Sequence, residues 1–244
     1  MIDTIIMAGT GAGAMSAKAP TSATVRTGYG KPRLVGVSVL GVTITSAQVQ
    51  NTSKGWDSAG IVFPNTGNGA VTSGQQIWAG EHPLLPDAVD LDEQSVFSVT
   101  QVGAGASVVL LHIDYGGDYK PGHLPKGPLG TTRRFTAPAA LTAVTVGGDV
   151  TVDTFEPEKT YIPSAAMVQG AFTGPQVLLG IDYPQTKGLT QFVPLTITNV
   201  IQGADQIASL KMMPAFKGRT QVRARFYSTT TDTPVADVYF VSSK

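Results

Sequence analysis

The chain has 244 residues, a formal net charge of zero and no cysteine. That length allows one large or two small domains. Zero net charge argues against a protein that grips nucleic acid through its phosphates, and the missing thiols exclude disulfide scaffolds, thiol catalysis and cysteine metal sites. Charged residues make up 14%, against a usual share of roughly 25%, while glycine (28) and proline (16) are plentiful. This mix predicts many short strands with tight turns. No apolar run approaches the roughly 20 residues that span a bilayer as a helix. Met1–Met7 lacks the basic start of a secretory signal.

Residues 1–24 are rich in Gly, Ala, Ser and Thr after a short apolar opening and read as a flexible N-terminal arm. Small residues bury little area, and ordering them costs about 1–2 kcal/mol each in backbone entropy. The arm is therefore expected to be ordered only by a partner. Ile2, Ile5, Ile6 and Met7 are its contact residues, against a neighbouring subunit or an internal membrane. Within the arm, Gly9-Thr-Gly11-Ala-Gly13-Ala14 fits a dinucleotide-binding fingerprint. That chemistry needs a helix next and an acidic residue for the ribose. Pro20 leaves little room for the helix, and no acid occurs from Thr4 to Gln50. No cofactor is expected.

Strand signals follow at Leu34–Ile44, Ala47–Asn51, Ile61–Phe63, Gln75–Ala79, Ser95–Val102 and Ser107–Tyr115. The stretch 117–130 is dense in Gly and Pro and reads as a linker. A second series runs through Leu141–Val146, Val150–Phe155, Val177–Tyr183, Gln191–Thr198, Thr220–Tyr227 and Val235–Val241. Helix is confined to Ala204–Met213 and a turn at Ser164–Gly170. The expected organisation is all-β, with a first sandwich over 25–116 and a second over 131–244. Each half closes with two strands around a turn, a hint of duplication. A sharper echo, Val109-Leu-Leu-His-Ile-Asp-Tyr115 against Val177-Leu-Leu-Gly-Ile-Asp-Tyr183, has a spacing that does not match that duplication.

No catalytic constellation emerges. His82, His112 and His123 form no metal-ligand spacing, and a buried structural role is the default for His112. Asp87, Asp90, Asp92 and Glu93 form the densest acidic cluster, but not in the calcium-loop pattern; no metal is expected. Arg219, Arg223 and Arg225 fall on one strand face by alternation. They are the candidate subunit contact, with the acidic cluster of a neighbour as partner. Leu34–Ile44 and Ser107–Ile113 are apolar on both faces, so both faces are expected to be covered, by the other half or by another subunit.

A strand-rich chain in two halves, poor in charge and without a catalytic set, resembles the double jelly-roll major capsid proteins of tailless icosahedral viruses. The resemblance covers roughly residues 30–244 and is one of architecture. It implies two jelly-roll-type antiparallel sandwiches side by side and a non-enzymatic structural protein. Three chains would form a pseudo-hexagonal capsomer of an icosahedral shell. The chain would be made in the host cytoplasm and reside in the virion. Its partners would be itself and other virion proteins, with no direct nucleic-acid binding. The alternative reading is a carbohydrate- or receptor-binding β-sandwich of the phage-fibre or adhesin type, with Trp56 and Trp78 as sugar-stacking candidates.

Overall fold

A computed structural model describes residues 1–18, 22–41, 44–51, 56–61, 75–81, 85–105, 107–116, 129–138, 145–152, 155–169, 177–195, 207–228 and 233–242. The chain divides into two compact units. One is Asp3–Gly117; the other is Asp118–Lys244 together with Met1–Ile2. Among the described residues the helical content is one 3-10 turn, Pro184–Thr186.

Apart from Ile2, the first unit holds β1 (Ile2–Gly9), β2 (Gly13–Ala14), β3 (Ser16–Ala17), β4 (Arg33–Gly41), β5 (Ile44–Asn51), β6 (Trp56–Ile61), β7 (Gln75–Trp78), β8 (Val89–Asp90), β9 (Val96–Gln101) and β10 (Ser107–Asp114). One sheet runs β3-β1-β10-β4-β7, with β8 also on β4; the other runs β2-β9-β5-β6. The second unit holds β11 (Leu129–Thr136), β12 (Thr145–Val152), β13 (Thr160–Gln169), β14 (Val177–Asp182), β15 (Gln191–Leu195), β16 (Ile207–Ser209), β17 (Phe216–Lys217), β18 (Val222–Ser228) and β19 (Val235–Ser242). Its sheets run β11-β19-β13-β16, with β17 also on β13, and β12-β18-β14-β15.

When the short accessory strands β3, β8 and β17 are set aside, the described residues of each unit form eight principal strands. Numbered in chain order, they form sheets 1-8-3-6 and 2-7-4-5 in both units. The ladders are antiparallel. This is the jelly-roll order, written twice. The duplication extends to detail. The first strands open at Ile2 and Leu129 and the eighth strands at Ser107 and Val235, so the offset between units is nearly the same at both ends. In each unit the third strand bulges near its start, skipping Val35 and Ser164. The carbonyl of each skipped residue accepts a hydrogen bond from the residue after the sixth strand, Ala79 N at 2.9 Å and Leu210 N at 3.0 Å. In each unit a short strand between the sixth and seventh pairs with the start of the third. The residue after it donates to the residue just before the third strand: Leu91 N to Pro32 O at 2.9 Å and Gly218 N to Lys159 O at 3.0 Å.

The Val-Leu-Leu echo therefore has another origin. Val109–Tyr115 spans the eighth strand of the first unit, whereas Val177–Tyr183 spans the fourth strand of the second. What they share is a local solution. Each ends in an Asp opposed by an Arg on the neighbouring strand, Asp114 by Arg33 and Asp182 by Arg223. Each is followed by a buried Tyr bonded to loop backbone. Tyr115 Oη accepts from Arg26 N at 2.7 Å, and Tyr183 Oη donates to Pro214 O.

In the second unit the core lies between the two sheets. Phe135, Tyr161, Phe216 and Phe240 come from one sheet, and Leu179, Val193, Ala224 and Phe226 from the other. Phe155 is packed edge-on against Phe216 (5.2 Å) and Phe240 (5.0 Å). Such pairs contribute about 0.5–1.5 kcal/mol each beyond their buried area. In the first unit β9 alternates exposed and buried, so one of its faces is wet. By contrast β1, β10 and β15 are buried nearly throughout on both faces.

That burial corrects two expectations. Residues 2–9 are not an arm but the first jelly-roll strand, beside β10. Ile2, Ile5, Ile6 and Met7 are all buried within the chain, so they are not available to a membrane or a neighbour. Asp3 on the same strand is buried and held by Arg26 at 2.6 Å. Likewise, the described side chains of Leu34–Val39 and Ser107–Ile113 are nearly all covered within a single chain and do not by themselves call for a second copy. Among the described residues the exposed large apolar side chains are Val96, Val102 and Tyr239. The helical turn expected at Ser164–Gly170 lies largely in β13, where pairing with β19 and β16 outweighs the helix propensity of Ala165 and Ala166. Ile207–Ser209, inside the other expected helix, is β16. The linker at 117–130 falls outside the described residues except for Leu129 and Gly130, which belong to β11.

Deleting Ile2–Gly9 removes the neighbour of β10 and uncovers that strand's edge. The truncated chain should lose the cooperative unfolding of that unit, read by circular dichroism during a urea titration. Retention of both transitions would show that β1 is dispensable.

Candidate functional site

The most ordered polar centre is His112 on β10. Its Nδ1 is 3.0 Å from Thr4 Oγ1 on β1, and its Nε2 is 2.8 Å from Ser38 Oγ on β4. One ring nitrogen donates and the other accepts, so the two hydroxyls take opposite roles. Gly36 pairs with His112 on one side and with Trp78 of β7 on the other. A Cβ at Gly36 would lie 2.6 Å from the indole ring and 3.2 Å from the imidazole. Glycine there lets the two rings stack above the central strand, with centroids 4.7 Å apart and an interplanar angle of 21°. Ser38 and His112 have the spacing of a nucleophile and its base. However, Thr4, Ser38 and His112 have no exposed surface, and burial lowers the imidazole pKa to about 3. At neutral pH this is an enclosed neutral ring tying three strands together. Trp78, the sugar-stacking candidate, is committed to the same stack. His82, His123 and the Trp56 side chain lie outside the described residues.

The fingerprint-like Gly9–Ala14 segment joins β1 to β2. It leads into an extended chain, with Met15 N donating to Val99 O at 2.8 Å, and not into a helix.

The basic face predicted on one strand separates into different environments. Arg219 lies in the turn before β18 and is exposed, with Thr220 N closing that turn onto Lys217 O. Arg223 is on β18, directly opposite Asp182 of β14. It binds that carboxylate through both Nε and Nη2, each at 2.7 Å, and Thr190 Oγ1 donates to the same group at 3.2 Å. Arg225 is half-buried on the same strand. Arg223 is therefore paired within its own chain while its side chain stays partly exposed. Arg134 opposes and clasps Asp237 in the same way, at 2.8 and 3.0 Å, and Arg33 reaches Asp114 at 3.1 Å. These pairs were invisible in the sequence because they depend on register between strands far apart in the chain.

The acidic cluster is built into a turn. Asp92 Oδ1 accepts from Gln94 N at 2.9 Å, while Asp92 N donates to Ser95 Oγ at 3.1 Å. Glu93 Oε1 accepts from Gly28 N at 3.2 Å. Asp87, Asp90 and Glu93 are exposed. Asp90, Asp92 and Glu93, with Lys31 and Arg33, border an open cavity of about 650 Å³. Among the described residues no three His, Asp or Glu side chains converge as metal ligands.

Two consequences are measurable. A group whose pKa is lowered by folding contributes stability above its unfolded pKa, which is lost as pH falls toward the folded value. For His112 this window runs from the ordinary 6.5 down to about 3. Its part of the slope is about 1.4 kcal/mol per pH unit for one proton. Urea titrations of wild type and His112→Phe at pH 4–7 should show a flatter dependence in the variant; identical slopes would remove His112 from the acid response. Separately, Arg223→Glu places two carboxylates face to face and should lower the stability of the second unit by about 1–2 kcal/mol, since Arg223 is partly solvated. An unchanged urea midpoint would contradict that.

No protein-family profile matches the chain, and no curated protein matches it in sequence. Among solved structures, the chain is similar to the major capsid protein P2 from Bacteriophage PM2, with 12% identity and a TM-score of 0.27, covering 99% of this chain and 97% of that one. It is also similar to the infectious bursal disease virus VP2 subviral particle, with 10% identity and a TM-score of 0.25, covering 100% of this chain and 71% of that one. Scores of this size establish neither fold nor function for this chain.

Proposed function

We propose that the chain is a structural subunit of a virion shell: a double jelly-roll coat protein that assembles with copies of itself and has no catalytic role. The observation that carries this reading is the strand order 1-8-3-6 and 2-7-4-5 occurring twice in succession. Two units of the same topology in one chain let three chains present six pseudo-equivalent blocks around a closed ring. This is the tiling implied by the resemblance to double jelly-roll major capsid proteins. The trimer, the shell, residence in the virion and synthesis in the host cytoplasm are parts of the proposal, as are contacts with other virion proteins. Fold alone does not fix function, so the support is the duplication together with the enclosure, among the described residues, of the Ser38 and His112 pair. A sugar-binding module has less support, because Trp78 is buried.

Sedimentation velocity of the purified chain across a concentration series tests the proposal. Trimers and larger closed particles are expected. A chain that remains monomeric at high concentration would overturn it.

A further inference from the structure

Because the two units share one topology, equivalent loops can be compared residue by residue. The hydrogen bonds Leu91 N to Pro32 O and Gly218 N to Lys159 O fix the correspondence at one corner of each unit. There the strand 6–7 connection meets the segment entering the third strand. In the first unit the connection carries Asp87, Asp90 and Glu93, all exposed. In the second unit the corresponding stretch carries Lys217 and Arg219, also exposed. Asp90 and Lys217 occupy the same place, each as the last residue of its accessory strand. The facing segment inverts too: exposed Lys31 in the first unit corresponds to exposed Glu158 in the second. The corner keeps its backbone and reverses its charge.

We infer that this corner is a contact between copies of the chain, in which the first unit of one copy meets the second unit of another. Corresponding surfaces face each other across a two-fold or pseudo-two-fold axis. With the strand 6–7 connection on that axis, two first units would set acid against acid and two second units base against base. In that arrangement the unlike pairing brings Asp87, Asp90 and Glu93 near Lys217 and Arg219, and Lys31 near Glu158. Like-charge juxtaposition is a strong discriminator between otherwise equivalent partners. Charge inversion on a common backbone therefore selects which unit docks on which, and the partner is a second copy of this chain. This rests on the shell-subunit reading and specifies one of its contacts.

The test uses two full-length variants, Asp87→Lys with Glu93→Lys, and Lys217→Glu with Arg219→Glu, compared with wild type by sedimentation velocity. Each variant carries like-signed corners on both units. Each alone should need about a tenfold higher concentration to associate. An equimolar mixture of the two should associate as wild type does, because unlike corners are again available between copies. Thermal melts by circular dichroism establish that both variants fold. A variant that fails to melt cooperatively is replaced by Asp87→Asn with Glu93→Gln, for which weaker association is again expected. Variants that associate as readily as wild type, or a mixture no better than either variant alone, would overturn the corner contact and leave the shell reading standing. A wild-type chain that does not associate at all would overturn both.

Discussion

In each unit the last strand inserts between the first and the third, so β10 lies between β1 and β4, and β19 between β11 and β13. That single pairing rule ties the beginning of each unit to its end. It makes the first strand a structural necessity, and it sets the third strand's bulge where the sixth strand must cap it. It also fixes which residues face one another, including the Arg–Asp pairs at Asp114 and Asp237. Closure of this kind is non-local. The contacts that stabilise a unit come only after most of its chain has been ordered, which is the usual cost of jelly-roll topology.

The two units use this frame differently. In the eighth strand of the first, His112 stands sixth, wedged between two hydroxyls and stacked on Trp78; in the eighth strand of the second, the sixth residue is Phe240, inside an aromatic cluster. A polar node and an apolar one thus fill corresponding places on the same backbone. The node works only because every polar atom of the ring has a partner, since an unsatisfied buried group costs about 1–3 kcal/mol. The same freedom appears on the surface, where one corner is acidic in one unit and basic in the other.

The all-β class and most of the half-buried strands were legible from alternation and turn residues. Val96–Gln101 reads cleanly because one face is wet. The closing pair of strands in each half also pointed to the duplication. What failed has physical causes. Ile2–Gly9 has no alternation because both faces are buried, so its apolar letters suggested an arm contact. Leu129–Thr136 is absent from the strands read in the sequence; it carries Arg133 and Arg134, and Arg134 is turned to solvent and clasps Asp237. Thr160–Gln169 carries Pro163 and two alanines, poor strand formers, and is held by partners on both sides. The apparent repeat between Val109–Tyr115 and Val177–Tyr183 came from two strands meeting the same demand, a sheet end with a buried Asp. The true repeat, in which β11 answers β1 and β19 answers β10, is written in hydrogen bonds and bulges more than in letters. For the candidate site, Asp87, Asp90, Glu93 and Arg219 were recognisable as charged surface, but their equivalence across the units needed the strand order.

If two jelly rolls of one topology build a closed assembly from identical chains, electron cryo-microscopy of the purified protein should show closed particles. Each threefold unit should contain six jelly-roll blocks, two per chain, with the first unit of one copy meeting the second unit of another at the charged corner. Particles with one jelly-roll block per chain, or fields containing only single dispersed chains, would contradict it.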